Sequence, residues 1–489
     1  MKNVFVTIAL LLVAIVSNAQ SSNVLVKEKT IGSVTATQEE IKAKEYVFSE
    51  RIYRSYVDTI SNSMTVQLRE LEDDGRWSNN EGKIIFYDLN EERVRWSKNI
   101  AYKKNSIQQF DNTIIFTKWD NSYRLSNENG EKLWKVKNDI YLVDPVANIG
   151  IGYKFESLKG KYDNLVEGID LKTGKTKWKR VLNGEYGWND AFRLNDSVWM
   201  IAAAGLHTVN IYDGSGWSYK TVTGDKYYNE MATAEAAGII LGVFTGVFMV
   251  STGNDILRDV VSNVYSDNTG FYFASKEKIS KINKDNGKTI WSYPFPAGVS
   301  SNSFLFSNDN HLFMINYGYA FMGVGQFNYG YATMGVINDG HAFRDDRQIY
   351  YGTPFFAAFN KDDGKQVFCS MFDHKKNPIL DFKIEADGLL LIFKDRIIKL
   401  SLSDGSQIFE KTINNDVLRE LNVVIDSHHM RIGDYKLVRK DNQTIVLDAD
   451  NNKVAEMEIA RDSFLRGNKL YSIGEKSVFE IDMTNLFQR

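Results

Sequence analysis

Cysteine is almost absent from this chain, since its 489 residues include only one, Cys369. A single cysteine excludes an intrachain disulfide, and a chain of this length can bury a core without one. Because no cysteine lies directly after the predicted cleavage site that ends the N-terminal apolar segment, a lipid anchor on a mature N-terminal cysteine is also excluded. Cys369 lies in an apolar stretch, and we expect it to be a small core residue rather than a nucleophile.

An excess of positive charge is also lacking, because 59 Lys and Arg face 62 Asp and Glu for a net charge of -3. This balance gives no electrostatic case for binding nucleic acid or an anionic membrane. Serine-hydrolase, Walker A and zinc-protease motifs are missing as well. Six histidines show no metal-ligand spacing and are expected on the surface: His207, His311, His341, His374, His428 and His429. We therefore predict no catalytic residue, metal site or cofactor.

A long apolar run lies at the N-terminus. Residues 4–16 are apolar and lead to Ser17-Asn18-Ala19 before Gln20. This layout is typical of a cleavable secretory signal over residues 1–19, and the run is too short to span a bilayer comfortably. A buried strand or anchor helix is the alternative. We expect a periplasmic protein that is neither a lipoprotein nor an integral membrane protein.

Aromatic residues are abundant, at 13% of the chain, and favour sheets over helices. One segment, residues 168–178, shows how they are arranged. An apolar strand ends at Asp170, glycine follows at Gly174, and an aromatic residue follows four positions later at Trp178. The glycine can adopt positive φ, and Asp170 can hydrogen-bond within the turn. The pattern predicts a hairpin with its aromatic at a constant distance from the turn.

The same pattern recurs along most of the chain, with phenylalanine replacing tryptophan in later copies. Trp217 follows a Gly-Ser turn and is interpreted as a degenerate copy. Residues 448–452 and 478–482 form two worn copies at the end. The remaining positions of the pattern are Asp88, Trp96, Gly130, Trp134, Asn283, Gly287, Trp291, Gly364, Phe368, Gly405 and Phe409.

Most intervals between copies are 34–47 residues, which is typical of propeller blades with four strands each. The sequence predicts an all-β propeller over residues 45–489. Nine turns exceed the usual ceiling of eight blades, and we expect eight because a terminal or degenerate copy need not build a whole blade. Residues 20–44 are interpreted as a linker or as a strand that closes the last blade.

Two insertions interrupt the repeats, near residues 230–265 and 315–355. The first has glycine every fourth residue, surrounded by apolar side chains, and predicts either a buried packing element or a docking surface. The second contains two Asn-Tyr-Gly-Tyr copies and predicts either a hairpin extending a blade or a binding loop. The candidate partner surface comprises Gly238, Gly242, Phe244, Gly246, Phe248, Tyr319 and Tyr331.

The repeats at residues 170–178 and 283–291 resemble the PQQ-like propeller repeats of the quinoprotein alcohol dehydrogenase-like superfamily. The resemblance implies that the tryptophan of each repeat docks against the neighbouring blade. One branch of that superfamily oxidises alcohols or sugars with pyrroloquinoline quinone and calcium. Another is non-enzymatic, like the propeller subunit of the outer-membrane β-barrel assembly machinery.

This chain departs from the dehydrogenase branch, which often carries two adjacent cysteines where this chain has Cys369 alone. It also lacks a recognisable calcium-binding set of Glu, Asn and Asp. The loop at residues 448–452 has Lys453 and Ile459 where an EF-hand needs glycine and glutamate. We therefore expect a monomeric, non-enzymatic scaffold that contacts envelope proteins, in outer-membrane protein assembly for example. A periplasmic oxidoreductase that depends on the quinone or on another small molecule is the alternative.

Overall fold

The structure is a computed structural model that describes residues 24–484 with gaps. The gaps are residues 74, 76, 119–120, 157–160, 183–189, 204, 222–260, 297, 323–346, 351, 373–376, 387, 414–430, 433–434, 441–442, 449–451, 460–461 and 467. The chain divides into two compact units, one formed by residues 1–135 and 430–489 and the other by residues 136–429.

Strands make up nearly all the regular structure of the described residues, together with one 3-10 turn, η1 (Tyr102–Lys104). The N-terminal strands are β1 (Leu25–Val34), β2 (Glu40–Val47), β3 (Ile52–Asp58), β4 (Ser63–Leu68), β5 (Lys83–Asp88), β6 (Arg93–Asn99), β7 (Asn105–Phe110), β8 (Thr113–Lys118), β9 (Asn121–Leu125) and β10 (Lys132–Val136). The next strands are β11 (Asn138–Asp144), β12 (Ile149–Glu156), β13 (Lys161–Asp170), β14 (Thr176–Val181), β15 (Asp190–Arg193), β16 (Val198–Ala202), β17 (Gly205–Asn210), β18 (Ser218–Lys220), β19 (Tyr265–Asp267), β20 (Gly270–Ala274), β21 (Lys278–Ile282) and β22 (Thr289–Pro294).

The remaining strands complete the second unit and return to the first. They are β23 (Ser303–Ser307), β24 (His311–Asn316), β25 (Tyr319–Met322), β26 (Arg347–Tyr350), β27 (Phe355–Asn360), β28 (Gln366–Met371), β29 (Asp381–Glu385), β30 (Gly388–Ile392), β31 (Arg396–Leu400), β32 (Gln407–Thr412), β33 (Arg431–Ile432), β34 (Tyr435–Lys440), β35 (Gln443–Leu447), β36 (Lys453–Met457), β37 (Asp462–Arg466), β38 (Lys469–Ile473) and β39 (Ser477–Asp482).

The strands form eight large antiparallel sheets, which confirms the predicted propeller of four-stranded blades. Seven of the sheets have four strands: β3–β6, β7–β10, β11–β14, β15–β18, β19–β22, β29–β32, and β23-β24-β27-β28. The eighth has nine strands in the order β33-β34-β35-β36-β1-β2-β39-β38-β37. It contains both worn repeats, so nine repeat turns yield eight sheets.

The N-terminal segment enters this nine-stranded sheet as two strands. β2 pairs with β39 from Lys44 opposite Glu480 to Val47 opposite Ser477. β1 pairs with β2 along most of its length and with β36 through residues 32–34. The segment is therefore a pair of paired strands rather than a linker, and β1 joins the two worn repeats.

Burial follows the position of a strand within its sheet. β20 (Gly-Phe-Tyr-Phe-Ala) and β27 (Phe-Phe-Ala-Ala-Phe-Asn) are central strands with almost every residue buried. Their continuous apolar sequences suit strands covered on both faces. The outermost strands β14 and β22 are largely exposed, with a tryptophan as the one buried residue of each. The core consists of apolar clusters, several of which draw on consecutive sheets of one unit.

Candidate interaction face and the repeat contacts that support it

The turn of each repeat is held by its first residue and its glycine. Asp170 Oδ1 accepts hydrogen bonds from the backbone N–H of Thr173 at 2.8 Å and from its hydroxyl at 2.9 Å. The Gly174 N–H donates to the Asp170 carbonyl at 2.7 Å. Burial acts to raise the pKa of Asp170, but the Thr173 hydrogen bonds and the charge of Lys177 lower it below its usual range. Asp88 and Asn283 accept backbone hydrogen bonds in the same way.

The glycines of these turns share one backbone conformation. Their φ angles lie between +68° and +73°, a region that favours glycine: Gly130, Gly174, Gly214, Gly287, Gly364 and Gly405. At five of them a Cβ atom would come within 3 Å of the aromatic ring of the preceding repeat: Gly130, Gly214, Gly287, Gly364 and Gly405. Glycine is therefore required there both by conformation and by space.

Trp178 shows how the aromatic residue uses that space. Its indole Nε1–H donates to the Ile211 carbonyl of the following sheet at 2.8 Å, and its ring lies against Gly214. Trp178 is 7% exposed. Trp96 repeats the contact with the Asn127 carbonyl at 3.0 Å. The tryptophan therefore joins consecutive sheets by packing and by a hydrogen bond.

Trp217 makes the same contact, so its interpretation as a degenerate copy is wrong. Its Nε1–H donates to the Lys284 carbonyl at 2.8 Å, and its ring lies against Gly287. Trp291 contacts the Lys361 carbonyl at 2.9 Å in turn. Trp217 follows Gly214 by three residues, whereas Trp178 follows Gly174 by four, and this shorter spacing makes the copy look degenerate in the sequence.

Later repeats replace the indole N–H by another donor. Phe368 packs against Gly405, and Ser370 Oγ donates to the Gly405 carbonyl at 2.8 Å. Earlier in the chain Lys98, also two residues after its aromatic, donates to the Gly130 carbonyl at 2.8 Å. Trp134 is half-buried, whereas Phe409 is 43% exposed on β32. The residue two positions after the aromatic is thus a second link that the sequence reading missed.

The described ends of the two insertions meet at consecutive residues. The Ser303 N–H donates to the carbonyl of Val261, the first described residue after the first insertion, at 2.9 Å. The Asn302 N–H donates to the carbonyl of Tyr319, which begins the second insertion, at 3.1 Å. Although Val261 and Tyr319 are far apart in sequence, both insertions are therefore rooted side by side in the second unit. We call this region the insertion face.

A buried amide organises the insertion face. Asn316 Oδ1 accepts hydrogen bonds from Ser301 N–H at 2.7 Å, Ser301 Oγ at 3.1 Å and Ser303 Oγ at 2.9 Å. Its Nδ2 donates to the carbonyls of Val299 at 3.1 Å and Thr353 at 2.6 Å. Asn316 is completely buried, and all its hydrogen-bonding capacity is used. Satisfied buried networks of this kind hold a single arrangement.

The second insertion begins and ends as a hairpin. β25 and β26 pair from Tyr319 opposite Tyr350 to Met322 opposite Arg347, in a separate two-stranded sheet. Tyr319 is 7% exposed, lies 5.3 Å from the Tyr317 ring, and has its pKa raised to about 12 by burial. The prediction that Tyr319 contributes to a partner surface is therefore wrong, since it packs in the root of the insertion.

The other predicted partner residues lie outside the described residues. The first insertion holds Gly238, Gly242, Phe244, Gly246 and Phe248, and the second holds Tyr331. Their assignment to a core element or to a docking surface stays a prediction.

Two further predictions need correction. Cys369 is exposed on the outermost strand β28, where an outer edge leaves alternate side chains uncovered, so it is not a core residue.

His207 is expected on the surface from the sequence but is buried in β17, with Nδ1 2.9 Å from Ser218 Oγ and Nε2 2.8 Å from the Ala203 carbonyl. Burial lowers its pKa to about 4, so it is neutral at pH 7.

Among the described residues, no three His, Cys, Asp or Glu side chains lie close enough together to hold a metal ion. No helix in this part of the chain is long and apolar enough to cross a membrane.

Comparisons with known proteins find similarity among solved structures. No family model and no curated protein matches the chain. BamB from Moraxella catarrhalis is 11% identical, with a TM-score of 0.33, over 89% of this chain and 99% of that one. Quinohemoprotein alcohol dehydrogenase from Comamonas testosteroni is 9% identical, with a TM-score of 0.34, over 89% and 75%. Another, ADHIIG from Pseudomonas putida HK5, is 9% identical, with a TM-score of 0.33, over 95% and 78%. The similarity is one of fold.

Proposed function

We propose that this chain is an exported interaction propeller of the cell envelope, and that it contacts protein partners through the insertion face. The observation that carries the proposal is the rooting of both insertions on Asn302 and Ser303, beside the Asn316 network. Val261 and Tyr319, described residues at the ends of segments far apart in sequence, thereby meet at one hydrogen-bonded base. Binding residues are disproportionately found on loops held by a rigid scaffold.

The composition of the insertions supports protein partners. Residues 236–250 carry no charged side chain, and residues 316–335 repeat tyrosine and glycine. Contiguous apolar segments and Tyr-Gly loops are both common in protein-binding surfaces. The predicted signal over residues 1–19 supports partners in the cell envelope. Outer-membrane protein assembly is the setting that the repeat resemblance suggests.

Site-specific photo-crosslinking in intact cells tests this proposal. A photo-reactive amino acid replaces Phe244 in the first insertion or Tyr331 in the second. The matched control carries the photo-reactive amino acid at Lys288. This residue is exposed in the connection between β21 and β22. We expect the same envelope protein to be crosslinked from both insertions and not from Lys288.

Replacing residues 323–346 by a short Gly/Ser linker provides the second arm. The roots keep their hydrogen bonds in this variant, so it should unfold at the same denaturant concentration as the wild type. It should nevertheless lose the partner crosslinked from Phe244, if the two insertions form one surface. Equal crosslinking from Lys288, or full partner capture by the linker variant, would overturn the assignment to the insertion face.

A further inference from the structure

A pocket in the first unit is lined by charge of one sign. Its walls come from the end of β6, the connection to β7, and strands β8, β9 and β10. Its volume is about 200 Å³, well above what one water molecule needs. Three lining residues are lysines, Lys98, Lys118 and Lys132, and no lining residue is Asp or Glu.

The surrounding sequence does not neutralise these lysines. Residues 98–135 contain seven Lys and Arg against four Asp and Glu, whereas the whole chain has a slight acidic excess. The positive charge is thus local to this sheet and to the connection before it. A concave surface lined by one sign of charge concentrates ions of the opposite sign.

Neutral groups hold two of the ammonium groups near the pocket. Lys98 Nζ donates to the Gly130 carbonyl at 2.8 Å. Lys132 Nζ lies 4.0 Å from the centroid of the Tyr123 ring and 5.2 Å from that of Phe116. No ion pair with a described carboxylate is formed by Lys98, Lys118 or Lys132. Each ammonium carries three N–H donors, so donors remain for a ligand.

The donor types favour one class of anion. Each lysine is a compact point charge with three donors, so several of them can surround the four oxygens of a tetrahedral phosphate group better than the two oxygens of a planar carboxylate. The lining contains lysines and two amides, Asn99 and Asn105, but no arginine. Phe116 and Leu125 add an apolar wall. We propose that this pocket binds the phosphate group of a phosphate ester.

Calorimetric titration of the full mature chain with inorganic phosphate, at constant ionic strength, tests the pocket. Lys118→Gln/Lys132→Gln should bind phosphate about tenfold more weakly than wild type, because charge-assisted hydrogen bonds are lost. Lys175→Gln/Lys288→Gln removes the same charge from exposed positions in the second unit and should bind like wild type. Lys118→Arg/Lys132→Arg retains the charge and should retain binding, which separates ligand loss from misfolding.

Two results would overturn the proposal: equal phosphate affinity in the pocket variant and the wild type, or acetate binding as tight as phosphate. Vesicles of phosphatidylglycerol and phosphatidylcholine separate the two sources of the phosphate. Lysine-dependent vesicle binding that inorganic phosphate displaces assigns the pocket to a lipid headgroup. Phosphate binding without vesicle binding assigns it to a soluble ester.

Discussion

At the scale of single residues, the repeat is defined by a contact between a strand aromatic and the glycine of the next turn. Trp178 and Gly214 form one such contact. The Trp178 ring lies so close to Gly214 that the turn has no space for a side chain there. The sequence pattern relates Trp178 to Gly174 of its own turn, because those two residues are close in the chain, whereas the contact with Gly214 joins two repeats. It does not reveal that Ser370 or Lys98 adds a hydrogen bond to the same turn.

Removing the ring should be costly at every tryptophan with this contact. We expect Trp178→Ala and Trp291→Ala each to lower the free energy of unfolding by about 3–5 kcal/mol. Trp217→Ala should fall in the same range, although the sequence predicts less, because its hydrogen bond and glycine contact are the same. Urea denaturation measures the three, with exposed Tyr212→Ala as the control. A much smaller loss at Trp217 would show that its partial exposure outweighs the contact.

Two glycines separate the conformational cost of a side chain from its steric cost. Gly214 and Gly298 both have φ of +73°, but a Cβ at Gly214 would lie 2.5 Å from the Trp178 ring, while one at Gly298 would meet nothing within 4 Å. Gly298→Ala should cost about 1 kcal/mol through backbone strain. Gly214→Ala should cost about 1–3 kcal/mol more through overpacking. Equal losses in chemical denaturation would mean that the Trp178 ring can move away.

At the scale of elements, the insertion face depends on hydrogen bonds between segments that are distant in sequence. The string Asn316-Tyr317-Gly318-Tyr319 was interpreted as part of a hairpin or binding loop, and its tyrosines suggested a surface. In the structure, the Asn316 side chain instead bonds the backbone of two segments, at Val299 and Ser301 and at Thr353, and Gly318 N–H donates to Ser301 Oγ at 3.0 Å. Asn316 and Gly318 therefore hold the base of the insertion by hydrogen bonds and do not form an exposed binding surface.

Removing the Asn316 amide should loosen this base. Asn316→Ala leaves the Ser301 N–H and the Thr353 carbonyl without their Asn316 partner, and leaves the Val299 carbonyl with the Thr353 N–H alone. We expect a loss of about 3–5 kcal/mol in the free energy of unfolding. Asn310→Ala, on an exposed turn, should change stability little. Denaturation curves give both values, and hydrogen exchange at the Asn302 N–H reports the insertion root directly. Unchanged exchange there would show that the roots are held without Asn316.

At the scale of the whole molecule, the propeller of eight sheets was predictable, because the repeat spacing recurs along most of the chain. The number of sheets was predictable only by discounting one of nine turns. The reason lies in β1, which pairs with β2 and β36 and makes one sheet of the last two repeats. Gly32 lies opposite Met457 in this pairing, and no local sequence pattern predicts that contact.

The predicted export signal concerns the whole chain and lies in its first residues. We expect the mature protein in the periplasmic fraction, with Gln20 at its N-terminus as read by mass spectrometry. Replacing Leu11 and Leu12 by arginine breaks the apolar run and should leave the protein in the cytoplasm with Met1 retained. Wild-type protein that keeps Met1 and stays in the cytoplasm would contradict the signal.

The sequence by itself determined the features that depend on neighbours in the chain: strand type, the glycine turns, and the distance from each turn to its aromatic. Turn conformation and side-chain alternation are local, so a pattern of a few residues suffices for them. The tertiary structure alone decided that Val261 and Tyr319 meet at Asn302 and Ser303, that His207 is buried and that Cys369 is exposed. These outcomes depend on which distant segments pack together. Contacts across long loops follow no short-range sequence pattern, so the sequence alone does not predict them.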